Sequence, residues 1–197
     1  KRESRSADSA DGFSFFKENE ELNEQICETF IFSSGNMSDS GLHGHQIKGY
    51  EINAVTFARI EGKMVYMKDV SNGQPVDSAE INHGKFDFSD TVTIVSPVVK
   101  VLSIRANKSG LEYRLPVVIE NGSIQAYISD VVLTGGTMLN ERMQDFLMAV
   151  DEYSTACENK QTEQIKIGFA DLLKKYIEIN DDNAVGEYIR TAYRSSL

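Results

Sequence analysis

The sequence predicts an α+β protein: an antiparallel β-sandwich or open barrel, followed by a C-terminal helical hairpin and a short third helix. Three observations predict it. Short apolar runs recur between Asn/Gly and Pro turn signals from Ile47 to about Gly136, the mark of an all-β unit. Leu111, Tyr113, Leu115, Val117 and Ile119 alternate with Glu112 and Arg114 as a half-buried strand does. At Gly135-Gly136 the period changes, and Met143, Phe146, Leu147, Val150 and Tyr153 recur at helical spacing. The division follows: an N-terminal extension over 1–46, a β domain over 47–136 and helices over 137–197.

The β domain is organised around Gly62 to Val92, which reads as three short strands joined by two turns. Met64 to Asp69 is rich in Val, Tyr and Met and ends at Asn72-Gly73-Gln74-Pro75. Asn82-His83-Gly84-Lys85 is the sharpest turn, because Gly84 accepts positive φ without a Cβ clash. A two-residue hairpin there sets Ile81 opposite Phe86 and Ala79 opposite Phe88 on one apolar face. Glu80 then opposes Asp87, so that face is expected in solvent. Such a ribbon is marginal alone and needs cover from the rest of the chain.

In chain order, residues 1–12 are Ser/Asp/Arg-rich and are expected to be disordered or loosely held. Phe15, Leu22, Ile26 and Phe30 fall near helical spacing, although Thr29-Phe30-Ile31-Phe32 also reads as a strand. Ser33 to Gly44 reads as a linker. Ile47 to Ile60 is the first strand of the β domain, with an interruption expected near Ala54. Thr91 to Val95 and Val98 to Ile104 follow as strands, separated at Ser96-Pro97 because proline lacks a ladder donor. Asn121-Gly122 signals a second hairpin, with Ile119 opposite Ile124 and Val117 opposite Ala126. Asn140 is the expected N-cap of the first C-terminal helix. The second helix carries Ile165, Phe169, Leu172, Leu173 and Tyr176, and Asn180-Asp181-Asp182-Asn183 breaks it. Val185, Tyr188, Ile189 and Ala192 form the third.

The chain has 197 residues, 41% of them hydrophobic and 25% charged, enough to build a core without metals or disulfides. A net charge of −10 argues against nucleic acid and anionic membrane as partners. No apolar run has the length of a membrane span. The two cysteines, Cys27 and Cys157, form no C-x-x-C. They either pair in an oxidising compartment or stand as separate thiols, and the sequence leaves both open.

Catalytic, cofactor and metal residues are expected to be absent. His43-Gly44-His45 near Asp39 lacks the third ligand a metal site needs and reads as a solvated loop. His83 reads as a turn residue. Asp181-Asp182 lacks the central Gly and terminal Glu of a calcium loop and reads as a helix break. Gly135-Gly136-Thr137 before a helix lacks the P-loop pattern and reads as a chain reversal. No G-x-S-x-G or H-E-x-x-H occurs.

Five short motifs stand in order: Val65-Tyr66-Met67, Val76-Asp77-Ser78, Gly84-Lys85-Phe86-Asp87-Phe88, Ile119-Glu120-Asn121-Gly122 and Gly136-Thr137-Met138-Leu139-Asn140. In them the chain resembles, over Ile47 to Tyr153, the domain of unknown function found ahead of thioredoxin-like domains in thiol:disulfide interchange proteins of Bacteroidetes-type bacteria. The resemblance implies a secreted protein, periplasmic or attached to the outer membrane, with an accessory role and a thioredoxin-like or other envelope partner. It also makes Asp8-Ser9-Ala10 and Asp77-Ser78-Ala79 resemble the O-glycan acceptors of such bacteria. No Cys-x-x-Cys follows before Leu197, so redox catalysis is expected of no residue here. The reading is a non-enzymatic envelope interaction module. The alternatives are the N-terminal part of a longer thiol:disulfide oxidoreductase and an envelope protein binding a small ligand or peptide.

Overall fold

The computed structural model describes residues 48–57, 60–105, 112–157 and 161–197. Eight strands form two four-stranded sheets, and three helices follow. The strands are β1 (Tyr50–Thr56), β2 (Met64–Asp69), β3 (Pro75–Glu80), β4 (Lys85–Asp90), β5 (Val98–Arg105), β6 (Glu112–Ile119), β7 (Gly122–Ile128) and β8 (Val132–Gly135). The helices are α1 (Met138–Ala156), α2 (Thr162–Ile179) and α3 (Ala184–Ala192), with a terminal 3-10 turn at Arg194–Ser196. One sheet runs β4-β1-β7-β8 and the other β3-β2-β5-β6. The α+β expectation therefore holds as an open sandwich with helices.

Alternation along each strand makes the core. Ile52, Ala54, Phe86, Phe88, Ile124, Ala126 and Ile128 of one sheet meet Val65, Met67, Leu102, Ile104, Leu115, Val117 and Ile119 of the other. Phe86 and Phe88 lie edge to face at 6.1 Å, a geometry aromatic quadrupoles favour.

Both expected hairpins are instead crossings between sheets. At Asn82–Lys85 the turn itself forms as read: His83 and Gly84 both have positive φ, 53° and 69°. Asn82 and Lys85 exchange bonds of 2.9 and 3.0 Å. Pairing stops there, because the Ile81 N–H donates to the Lys63 carbonyl and its own carbonyl accepts from Gly62, both at 2.9 Å. β3 then pairs with β2, and β4 with β1. Ile81, Phe86 and Phe88 are buried as expected, but across the sandwich interior rather than along a ribbon. Glu80 and Asp87 are exposed without opposing each other.

Asn121-Gly122 repeats the outcome. β6 pairs with β5, while β7 runs parallel to β1 and antiparallel to β8. Gly122 has φ 131°, not the left-handed value of a tight two-residue hairpin. Cross-strand apolar matching looks the same whether two strands share a sheet or face each other across a core, so the apolar pattern alone does not separate the two.

Three smaller expectations are corrected. β1 runs unbroken through Ala54, whose small side chain faces the core. Thr91 to Val95 is a loop, tied at Ile94 rather than paired in a ladder. The N-cap of α1 is Thr137, and Asn140 lies buried inside the helix. The expected readings of residues 1–46 lie outside the described residues.

The helices cover one side of the sandwich. α1 packs on β8 and β6, α3 on β5, and α2 on α1 and α3. Their own core joins Met143, Phe146, Phe169, Leu173, Val185 and Ile189 to Val118 of β6. Leu147 touches both cores. Burial raises the phenols of Tyr188 and Tyr193 above their ordinary range in this layer. The Asn180–Asn183 helix break is confirmed, with the Asn183 side chain accepting from Val185 N–H at 2.9 Å.

Candidate functional site

The last two motifs, Ile119-Glu120-Asn121-Gly122 and Gly136-Thr137-Met138-Leu139-Asn140, meet at one end of the sandwich. β1, β3, β5 and β7 begin there, and β2, β4, β6 and β8 end there, as the registers require. Glu120, just past β6, accepts from the Thr137 hydroxyl at 2.7 Å and from the Leu139 N–H at 2.8 Å. Its carboxylate thus sits on the N-terminus of α1, where unpaired N–H groups and the helix dipole favour negative charge. Asn121 ties two loops: its oxygen accepts from Ile94 and Gly49 N–H, and its amide donates to the Ile94 carbonyl at 2.7 Å. Gly136 has φ 86°, and a Cβ there would meet the Ser123 carbonyl oxygen at 2.6 Å. That position admits only glycine.

Asn140 is fully buried and works as a strand mimic. Its oxygen accepts from Val118 N–H at 2.9 Å and its amide donates to the Val118 carbonyl at 2.7 Å. Thr134 Oγ1 donates to the same oxygen at 2.9 Å. One helical turn later, Gln144 accepts from Thr134 N–H at 2.8 Å. Two amides on one face of α1 therefore complete the outer edges of β6 and β8. The sequence places Asn140 at a helix start because Asn suits caps, and nothing local signals a distant backbone partner. The reading also missed Glu61, which clasps the His83 and Gly84 N–H groups at 2.6 and 2.9 Å. Those two bonds hold its carboxyl below the usual range.

Around this joint the strand ends form a face of mixed character. Val92, Val95 and Val98 are 65%, 93% and 45% exposed, and Met138 at the start of α1 is 67% exposed. Asp77 and Asp90 stand on the same end. Burial, then these two carboxylates, raises the Tyr50 phenol above its ordinary value. Lys100 reaches Asp69 at 2.7 Å, and this bond with those from Ser71 holds the Asp69 carboxyl low. On the outer sheet surface Lys68 and Ser103 both bond Glu112. Burial opposes its ionisation, but the two bonds win and hold the carboxyl below its ordinary value.

The remaining candidates fall as follows. His83 is a turn residue, with its N–H held by Glu61. Asp77, Ser78 and Ala79 lie on β3, with Asp77 and Ser78 exposed. Cys157, at the end of α1, is buried and forms no disulfide among the described residues. Cys27, Asp39, His43, His45 and the Asp8-Ser9-Ala10 segment lie outside the described residues. Among the described residues, no three His, Cys, Asp or Glu side chains are grouped to hold a metal. No helix there is long and apolar enough to cross a membrane.

Residues 50–143, from the start of β1 into α1, match the family model described as Domain of unknown function (DUF4369). The segment is similar to that family. The matched segment spans all eight strands and ends just past Asn140, so it contains both halves of the joint between sandwich and helix. It falls within the Ile47 to Tyr153 range over which the motifs show their resemblance. No curated protein and no solved structure matches the chain.

Proposed function

We propose that the protein is a non-enzymatic accessory module of the cell envelope, in the periplasm or at the outer membrane. In this reading its β domain docks another protein, and a thioredoxin-like protein is the partner the motif resemblance suggests. The observation that carries the reading is how the polar residues of the last two motifs are used. Glu120, Asn121, Thr137 and Asn140 each bond the protein's own backbone or side chains. Groups held in this way position a scaffold; they do not meet a substrate. The strand-end face beside the joint, in contrast, exposes Val92, Val95, Val98 and Met138 among acidic side chains. Capture of the full chain from envelope extract is expected to recover the same partner reproducibly across preparations. Failure to recover one, or turnover of a substrate abolished by a single side-chain truncation, would count against the reading.

A further inference from the structure

We propose that the strand-end face docks an extended partner segment in which basic and apolar residues alternate. Val92, Val95, Val98 and Met138 form its contact centre, and Asp77, Asp90 and Glu141 its acidic surround. The inference rests on the interaction-module reading and names its surface and the chemistry of its partner.

Single exposed valines need no explanation, but four large apolar side chains gathered at one end of a domain do. Val95 is the most exposed, and its loop is held rigid: the Ile94 N–H and carbonyl are both bonded to Asn121. The Val92 N–H is likewise bonded to Asp90 at 2.9 Å. Side chains presented by a fixed backbone lose little freedom on binding, which favours their use as anchors.

Charge selects among occupants. Lys48 and Arg142 stand at the same end, but Lys100 is tied to Asp69, and Asp77, Asp90, Glu120 and Glu141 leave acids in excess. A second copy of this chain would set like charge against like charge, and so would an anionic lipid surface. Residues 13–32 of the chain itself carry Glu18, Glu20, Glu21 and Glu24 among their apolar residues, which gives the same mismatch. A cationic, apolar segment satisfies both halves of the face.

The full chain is titrated with three labelled peptides of about a dozen residues: alternating Leu-Lys, alternating Leu-Glu and alternating Ser-Lys. The Leu-Lys peptide is expected to bind at least tenfold more tightly than either control, and less tightly as salt rises. Val92→Ser combined with Val95→Ser is expected to weaken it tenfold or more, with an unchanged melting point. Ile167→Ser, on the exposed face of α2, is expected to leave it unchanged. Equal binding by the double variant, equal binding of the Leu-Glu peptide, or no binding of any peptide would overturn the proposal. So would a photo-crosslinker at position 95 that joins only a second copy or residues 1–47. If the double variant still captures the full-chain partner from envelope extract, the face is wrong while the module reading stands. If neither form captures one, the module reading fails.

Discussion

Along one side of the sandwich, β6 and β8 turn their outer edges toward α1. Along the other, β3 and β4 have no described element laid over them. Both sides face the same hazard, because an unpaired edge invites another strand. The first side is closed by mimicry: Asn140 and Gln144 supply the donors and acceptors that a ninth strand would have supplied. Proline at Pro116 is tolerated in β6 because an edge residue need not donate outward. The second side is blunted by composition. β3 opens with Pro75 and carries Asp77 and Glu80, and β4 carries Lys85, Asp87 and Asp90. A covered edge contributes stability and fixes the helices, whereas a blunted edge contributes solubility.

The largest way to break this contrast is Asn140→Ala. It leaves Val118 N–H and C=O without partners in a buried site, at about 1–3 kcal/mol each, so a loss of about 2–6 kcal/mol is expected. Urea denaturation checks it, and a loss under about 1 kcal/mol would show that water replaces the amide. Gln144→Ala removes one bond at a half-buried edge and is expected to cost about 1–2 kcal/mol. Because the two amides sit one turn apart and share Thr134, the double variant is expected to depart from additivity.

This joint also shows how much of the molecule is legible in the sequence. The three helices, most of the strands, the turn at Asn82–Lys85, the chain reversal at Gly136 and the break at Asn180–Asn183 follow from local chemistry, and the structure bears them out; Thr91 to Val95, a loop, and β8, which no local signal marks, are the exceptions. Pairing does not follow. Ile119 and Ile124 match as well across a sandwich as across a hairpin, so their apolar agreement could not decide between the two. Nor does local chemistry reveal that Asn140, Asn121 and Glu61 act on backbone far away in the chain. A buried-position Asn four residues before Gln144, on a helix whose other core residues are apolar, is the signal that could have raised the question.

The closing helix carries one unmet group of its own. Asp151 Oδ1 is buried without a hydrogen-bond partner among the described residues, and burial, then Glu152, raises its carboxyl above the ordinary value. A raised acid penalises the folded state once the unfolded chain has ionised. Stability is therefore lost as pH rises from about 3.9 through the folded value, and the penalty persists above it. Asp151→Asn is expected to stabilise the protein at pH 7 by no more than about 1 kcal/mol, since the side chain is partly solvated. The gain is expected to vanish near pH 3, where both states hold the proton. An equal gain at both pH values would assign the effect to helix propensity instead.

The smallest change in stability, and the sharpest test of the open side, is Asp77→Ala. In the β2–β3 ladder Ile81 bonds Lys63, so by alternation Ala79 and Asp77 face β2 and the Ser78 N–H points outward. Asp77 Oδ1 accepts that N–H at 2.7 Å. The carboxylate therefore occupies the donor that an incoming strand would use, and it adds charge that repels a like edge. Its removal exposes a bond in full solvent, so the free energy of unfolding is expected to move by less than about 0.5 kcal/mol. The melting curve should hardly change. Sedimentation at rising concentration is expected to show more self-association than in the parent chain, and Asp77→Asn, which keeps an acceptor but not the charge, should fall between them. If Asp77→Ala stays as monodisperse as the parent, Pro75 and Glu80 suffice to guard the edge and the carboxylate is redundant there.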